Sequence, residues 1–142
     1  MFIVQKVIVS CYKMNLPDNT ELFEGELATF WFDENGILCA LAKNTPRSIE
    51  KQKKNYAFIR QITGNKKVCL LSDTTSSSPQ DKETRDYAAS ELPNVFKAMA
   101  VISKSAAGLF IANIFVALKH QPIPIKMFAD ENQAKEWLKE YL

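Results

Sequence analysis

The sequence predicts a mixed α/β fold in which helices pack on a single sheet. An Asn-Gly pair, Asn35-Gly36, separates two short apolar runs, which is typical of a β-hairpin closed by a type I′ turn. Further apolar runs alternate with stretches of helical periodicity, and this alternation implies parallel strands joined by crossover helices. The 142 residues suit one domain and no repeat or linker divides them. We therefore expect a single domain over residues 1–142, with residues 1–25 as an N-terminal strand or extension.

Five strands are predicted from apolar runs bounded by turn residues. The hairpin strands are followed by a buried strand that ends in Leu-Leu-Ser-Asp and by two later runs. Pro124 lies near the start of the last run, so we expect an edge strand or a strand start there. The predicted strands are residues 27–32, 37–41, 67–72, 96–102 and 123–128.

The first two helices are predicted from their end signals. Thr45 is the expected N-cap of the first helix, with Pro46 at the first helical position and Gly64 as the stop. Ser78 begins a pattern typical of a capping box, and the helix that follows should end before Pro93.

Two more helices complete a set of about four. Residues 106–118 form an apolar run of 13 residues, which is too short for a membrane span and suits a buried helix. The last helix begins after Asp130. Its apolar positions recur at helical spacing, so we expect them to pack inward: Ala134, Trp137, Leu138 and Tyr141.

Several chemistries lack the residues that they need. Three cysteines, Cys11, Cys39 and Cys69, are widely spaced, and the one histidine, His120, cannot complete a zinc site with them. Nucleophilic catalysis needs a base beside the nucleophile, and His120 lies at a predicted helix end with no nucleophile assigned beside it. The four glycines do not cluster into a phosphate-binding loop. We expect no catalytic residues, no metal and no cofactor, and we expect reduced, buried cysteines in a cytoplasmic protein.

From Thr45 onward, the chain resembles the SpoIIAA-like branch of the STAS (anti-sigma-factor antagonist) family, which is also described as STAS/SEC14-like. The similarity covers residues 26–142 and lies in the hairpin, TPRSIEKQ, LLSD, TRDYAAS and KMFADENQAKEWL. It implies a small α/β domain, often homo-oligomeric, that serves protein–protein regulation or binds small ligands or lipids. Classical members carry a phosphorylated Asp-Ser-Ser-Gly, and this chain lacks that motif.

The loop from Asp73 to Ser78 is the first predicted site. It joins the carboxyl end of a strand to the start of a helix, where open α/β sheets bind ligands and where backbone amides attract anions. Its hydroxyl groups and a nearby arginine would add contacts, although a solvated loop explains the same residues. The residues of this hypothesis, an anion or phosphorylation site or a partner-binding loop, are Asp73, Thr74, Thr75, Ser76, Ser77, Ser78 and Arg85.

The second predicted site is a basic face on the first helix. Eight basic residues and one acidic residue lie between Lys43 and Lys67, although the net charge of the whole chain is only +2. Helical spacing places part of this charge beside an aromatic side chain that we expect to be exposed. Such a face suits an acidic partner, anionic lipid or, with weaker support, nucleic acid, while an ordinary solvated face is the alternative. The residues of this face are Arg47, Lys51, Lys54 and Phe58.

These observations favour a non-catalytic regulatory or protein-interaction module of the STAS type. The alternative is a SEC14-like carrier of a small molecule or lipid, with its pocket between the 106–118 helix and the sheet. We expect a protein partner or a homodimer, allow for a small anionic or lipid ligand, and expect neither specific nucleic-acid binding nor a transmembrane segment. A ligand-sized cavity would favour the carrier over the interaction module.

Overall fold

A computed structural model describes residues 14–102 and 121–142 of the chain. The strands are β1 (Phe23–Glu24), β2 (Ala28–Phe32), β3 (Leu38–Ala42), β4 (Val68–Asp73), β5 (Phe96–Ile102) and β6 (Ile125–Phe128). The helices are α1 (Ile49–Thr63), α2 (Lys82–Val95) and α3 (Glu131–Leu138), and a 3₁₀ turn follows at Lys139–Tyr141. The α/β prediction is confirmed. The described residues contain three α-helices rather than about four, and the helix predicted over residues 106–118 lies outside them.

All six strands belong to one mixed sheet in the order β1-β2-β3-β4-β5-β6. The first three strands are antiparallel, and β3 to β6 are parallel. Parallel neighbours need a crossover connection, which α1 supplies between β3 and β4 and α2 supplies between β4 and β5. Strand β6 lies at the edge of the sheet, as the position of Pro124 in the sequence indicated. None of the helices in the described ranges is long and apolar enough to cross a bilayer.

The hairpin between β2 and β3 is present, but its turn is not of type I′. Gly36 has a positive φ of 80°, whereas Asn35 does not share it, as type I′ geometry requires. The amide of Gly36 donates to the carbonyl oxygen of Asp33 at 3.1 Å, and the Asp33 carboxylate accepts from the amides of Asn35 and Ile37, each at 2.9 Å. The Asp33 side chain thus stabilises a longer loop that ends in a left-handed glycine.

Helix α1 starts three residues later than the sequence predicted. Ser48 is its N-cap, and the Ser48 hydroxyl accepts from the amide of Lys51 at 3.1 Å. The predicted cap, Thr45, instead donates its hydroxyl to the carbonyl oxygen of Glu26 at 3.0 Å. The helix ends at Gly64 as predicted, with a left-handed φ of 65°.

Helix α2 differs from its prediction at both ends. Its N-cap is Asp81 rather than Ser78, and the helix continues through Pro93 to Val95. Pro93 removes one hydrogen bond in the last turn, and buried Leu92 and Val95 anchor that turn against the sheet. Tertiary packing therefore extends the helix beyond the residue where the sequence alone predicted its end.

Both faces of the sheet are covered. Helices α1 and α2 pack on one face, around Phe30, Leu70 and Phe96, and α3 packs on the other through Ala134 and Leu138. A sheet covered on both faces needs strands that are apolar at nearly every position, which explains the short unbroken apolar runs. Trp137 lies between the rings of Phe128 and Tyr141, with ring centroids 5.7 and 5.1 Å away, so the C-terminal amphipathic helix is confirmed.

Cys39 and Cys69 lie on the α3 face of the sheet and are free thiols. Both are 1% exposed, so the prediction that they pack as small apolar residues is confirmed. Burial raises the pKa of the Cys39 thiol to about 12. Cys11 and His120 lie outside the described residues.

Candidate ligand-binding cavity

Asp73 ends β4 and is completely buried, with 0% of its surface exposed. Its Oδ2 accepts from the amide of Met14 at 2.6 Å, and its Oδ1 accepts from the amide of Thr75 at 2.9 Å. The carboxylate therefore connects the segment before β1 to the loop after β4. Its oxygens are engaged inside the protein rather than offered to a ligand.

The rest of the loop after β4 is held by short local contacts. The amide of Ser77 donates to the carbonyl oxygen of Thr74 at 3.0 Å, and the Ser78 hydroxyl donates to Asn44 Oδ1 at 2.7 Å. Asp81 caps α2 by accepting from the amide of Thr84 at 2.8 Å, and this bond lowers the pKa of the Asp81 carboxyl. A carboxylate thus already lies at the start of α2. Anion binding or phosphorylation at this loop stays a prediction.

A cavity of about 330 Å³ lies between α1, α2 and the sheet. It opens beside the carboxyl end of β4, because Ser72, Thr74 and Ser77 all line it. Its apolar walls come from the strands and from the inner face of α1. The residues of these walls are Phe30, Tyr56, Ile59, Leu70, Phe96 and Met99.

Polar side chains from three segments line the same cavity. Gln52 and Asn55 come from α1, Gln80 and Arg85 come from the start of α2, and Arg47 comes from the segment before α1. Gln52 Nε2 donates to Gln80 Oε1 at 3.1 Å, which joins the two helices at this edge. The cavity therefore combines an apolar wall with a cluster of hydrogen-bonding groups.

Tyr56 and Arg60 also hold α1 against α2. The Tyr56 hydroxyl donates to the carbonyl oxygen of Ala88 at 2.8 Å, and burial raises the pKa of this phenol well above its ordinary value. Arg60 Nη2 lies 2.6 Å from Glu91 Oε2 in an ion pair. These contacts separate the two helices by a fixed distance beside the cavity.

Arg47 is the most deeply placed cation of the cavity. Its Nη2 donates to the carbonyl oxygen of Leu27 at 3.3 Å, whereas its Nε is buried and has no hydrogen-bond partner. Desolvation lowers the pKa of the Arg47 guanidinium. Asn55 Oδ1 is a second buried atom without a hydrogen-bond partner among the described residues. Both side chains line the cavity, but these two atoms are closed to solvent and do not face its water-accessible space.

Arg85 lies on the exposed side of the cavity. Its Nη1 donates to the carbonyl oxygen of Gln80 at 3.1 Å, and its neighbours in the cavity wall include Thr74 and Ser77. The structure thus places Arg85 and two residues of the predicted loop in one cavity with Arg47.

The four residues of the predicted basic face do not form one exposed surface. Arg47 turns toward the cavity, and Lys51 Nζ lies 3.6 Å from Glu26 Oε2. Phe58 is half-buried and packs on Phe30, with ring centroids 5.9 Å apart, so the prediction that it is exposed is wrong. Lys54 is exposed. Binding of an acidic partner at these residues stays a prediction.

Sequence reasoning missed the polar residues that α1 contributes to the cavity. Gln52, Asn55, Tyr56 and Ile59 follow one another at i, i+3, i+4 and i+7, so all four lie on the inward face of the helix. Two amide side chains, Gln52 and Asn55, on an otherwise apolar inward face indicated that this face does not pack only against an apolar core. Their combination with Arg47 depends on the tertiary fold.

Comparison with known proteins places the chain in a family. The model of a family described as domain of unknown function (DUF7793) matches residues 30–142, so the chain belongs to that family. Comparison with curated proteins finds no match. A similar crystal structure is that of an uncharacterised DUF3478-family protein with a SpoIIAA-like fold from Shewanella loihica PV-4, at 17% identity, with 87% of this chain and 99% of that chain covered and a TM-score of 0.48.

Proposed function

We propose that this member of the DUF7793 family is a binding module for a small organic ligand that occupies the cavity between α1, α2 and the sheet. The observation that carries the proposal is the cavity itself, with a volume of about 330 Å³, apolar walls and a few polar groups at one end. Ligand sites in proteins typically enclose about 300–1,000 Å³ and have this mixture of lining groups. The cavity therefore suits a ligand at the small end of that range.

Stability also supports a ligand in this place. A ligand in the cavity would contact Phe30, Leu70 and Phe96 and gain dispersion energy there. A ligand that binds only the folded chain raises the free energy of unfolding. The two helices keep the space open through the hydrogen bonds of Tyr56 and Gln52.

We propose binding without catalysis. The ionisable side chains among the described residues of the cavity wall are Arg47, Arg85 and Tyr56. General acid–base catalysis is most efficient when the pKa of the group lies near the working pH. The pKa of Tyr56 is raised, and arginine stays charged at neutral pH. These groups suit the binding and orientation of a ligand better than proton transfer.

The regulatory or protein-interaction role that the sequence favoured stays a prediction, as do a homodimer and a cytoplasmic location. The cavity supports the alternative, a carrier of a small molecule or lipid. This cavity lies between α1, α2 and the sheet, whereas the pocket predicted between the 106–118 helix and the sheet involves a segment outside the described residues.

A cavity-filling variant tests the proposal. Ala40 lines the cavity and is 5% exposed, so Ala40→Leu should fill space, keep or raise the melting temperature and abolish ligand binding. Binding is measured by titration calorimetry with octanol, octanoate and β-hydroxyoctanoate, and by mass spectrometry of small molecules that co-purify with the chain. The proposal fails if the wild type binds none of these and carries no compound that Ala40→Leu lacks.

The matched control is Ala100→Leu. Ala100 is 0% exposed and lies in the core on the α3 face, away from the cavity. The added atoms overpack a filled core, so this variant should lose about 1–3 kcal/mol of stability while it retains ligand binding. Equal loss of binding in both variants would attribute the effect of Ala40→Leu to general disturbance of the fold.

A further inference from the structure

We infer that the ligand of the cavity is a neutral, mainly apolar compound with a carboxamide at its polar end, which donates to Gln52 and accepts from Gln80. This inference rests on the proposed function and names the chemical class of the ligand. The observation behind it is a pair of glutamine side chains in the cavity wall that are joined by a single hydrogen bond.

The two glutamine amides lie side by side between α1 and the segment before α2. Gln52 Nε2 donates to Gln80 Oε1 at 3.1 Å, and the reciprocal bond from Gln80 Nε2 to Gln52 Oε1 is not formed. Each remaining atom belongs to the same planar amide as one atom of that bond, so Gln52 Oε1 and Gln80 Nε2 are neighbours. Exchanging oxygen and nitrogen in both amides would again leave one acceptor and one donor.

These two remaining atoms are open to solvent. The buried side-chain atoms of residues 14–102 and 121–142 that lack a hydrogen-bond partner are Asp33 Oδ2, Arg47 Nε and Asn55 Oδ1. Gln52 Oε1 and Gln80 Nε2 have no partner in the same ranges and do not belong to that closed set, so solvent reaches both. Gln52 lines the cavity and is only 5% exposed as a residue, so a ligand in the cavity is placed to reach its oxygen.

The glutamine pair selects among polar groups because a ligand in the cavity replaces water. Displacing water by a group that cannot reproduce its hydrogen bonds lowers the affinity. Gln52 Oε1 requires a donor, and Gln80 Nε2 requires an acceptor. A carboxamide carries both on one planar group, whereas a ketone offers only an acceptor. The pair therefore favours an amide over a ketone of the same shape.

The two arginines of the wall give weaker support to an anion. Arg47 Nη2 is engaged by the carbonyl oxygen of Leu27, and Arg47 Nε is closed to solvent. Arg85 is exposed and lies near Asp81, whose carboxyl pKa is lowered by hydrogen bonds from Thr84 and further by the charge of Arg85. An exposed guanidinium whose field already acts on a carboxylate adds little to the binding of an anion.

The apolar walls and the volume limit the body of the ligand. Phe30, Leu70, Phe96 and Met99 offer apolar contacts. A volume of about 330 Å³ lies at the low end of ligand sites, which suits one medium-length alkyl chain or one ring rather than a lipid with two acyl chains. The class is therefore a single-chain or single-ring carboxamide.

A ligand series with one apolar body tests the inference on the full chain. Titration calorimetry compares octanamide, 2-nonanone and octanoate, which share a heptyl chain on a carbonyl carbon and end in NH₂, CH₃ and O⁻. We expect octanamide to bind roughly three- to tenfold more tightly than 2-nonanone, because only the amide donates to Gln52. It should also bind more tightly than octanoate, whose charge repels the Gln52 oxygen.

A double variant assigns the preference to the glutamine pair. Methionine resembles glutamine in shape without its amide, so Gln52→Met with Gln80→Met should make octanamide and 2-nonanone bind equally. The matched control is Gln61→Met with Gln133→Met, because both glutamines are exposed and neither lines the cavity. Melting curves of each variant show that it is folded at the temperature of the titration.

The outcomes separate the inference from the proposed function. Octanamide binding no tighter than 2-nonanone overturns the carboxamide class, and octanoate binding most tightly shows that the ligand is an anion; in both cases the cavity remains a ligand site. A Gln52/Gln80 double variant that keeps the preference, or a control that loses it, overturns the role of the pair. A wild type that binds none of these compounds, nor octanol, and carries no co-purified molecule overturns the proposed function as well.

Discussion

Buried polar atoms decide the chemistry of this protein at the scale of single residues. Asp73 is buried with both carboxylate oxygens bonded to backbone amides, whereas Arg47 and Asn55 each keep one buried atom without a partner. Buried polar groups in folded proteins almost always have partners, and Asp73 follows this rule. Among the described residues, three buried side-chain atoms have no hydrogen-bond partner: Asp33 Oδ2, Arg47 Nε and Asn55 Oδ1.

The role of Asp73 can be measured. Asp73→Asn replaces one acceptor oxygen by an NH₂ group that faces an amide N–H, so we expect a loss of about 1–3 kcal/mol in the free energy of unfolding. Urea denaturation measures the change. Asp86→Asn is the control, since Asp86 pairs with Lys82 in an exposed ion pair and should change stability by less than about 1 kcal/mol. Similar losses in both variants would show that the Asp73 contacts do not stabilise the fold.

At the scale of elements, helix starts depend on which of several capping residues the fold selects. Before α1, both Thr45 and Ser48 are suitable N-caps, and the Thr45 hydroxyl is engaged by Glu26 across the hairpin. Before α2, Ser78 bonds to Asn44 and Asp81 caps the helix. Local sequence thus predicts that a helix starts near these residues, and long-range contacts determine which of them caps it.

A pair of serine variants tests the cap of α1. Ser48→Ala removes the acceptor of the Lys51 amide and should cost about 1 kcal/mol in the free energy of unfolding. Ser90→Ala lies inside α2, where alanine is the better helix former, and should be neutral or slightly stabilising. Both changes are read from urea denaturation. A Ser48→Ala variant as stable as Ser90→Ala would argue that the helix starts elsewhere.

At the scale of the whole molecule, the two faces of the sheet differ in how they are packed. The α3 face is filled by side chains such as Leu71, Ala100 and Leu138, all fully buried. The face under α1 and α2 leaves a cavity of about 330 Å³. The cavity proposed for the ligand thus lies on the face under α1 and α2, whereas the centre of the α3 face is packed.

Because the centre of the α3 face is packed, we expect a substitution there to lower the free energy of unfolding strongly. Leu138 is 0% exposed, so Leu138→Ala should lose about 2–5 kcal/mol through lost burial and a new void. Leu142 is 52% exposed, and Leu142→Ala should stay within about 0.5 kcal/mol of the wild type. Calorimetric melting curves compare the two. Equal melting temperatures would mean that α3 is not part of the cooperative core.

The sequence predicted several residues of the site, but it did not predict that they lie together around one cavity. Thr74, Ser77 and Arg85 were assigned to a loop site and Arg47 to a separate basic face, whereas the structure places all four around one cavity. The contacts that unite them cross long stretches of chain, as between Gln52 and Gln80, which are 28 residues apart. A contact between residues so far apart along the chain leaves no signal in the local periodicity of the sequence.

The sequence by itself determined the order and type of the described elements from β2 to α3, because periodicity, glycine stops and apolar runs act within a few residues of one another. Strand β5 has the predicted bounds, and α1 ends at the predicted glycine. The tertiary structure alone decided the turn between β2 and β3, the capping residues, and the cavity that Arg47 and Asn55 line. Those features depend on which distant segments bury a given atom, and burial is a property of the packed chain rather than of any stretch of it.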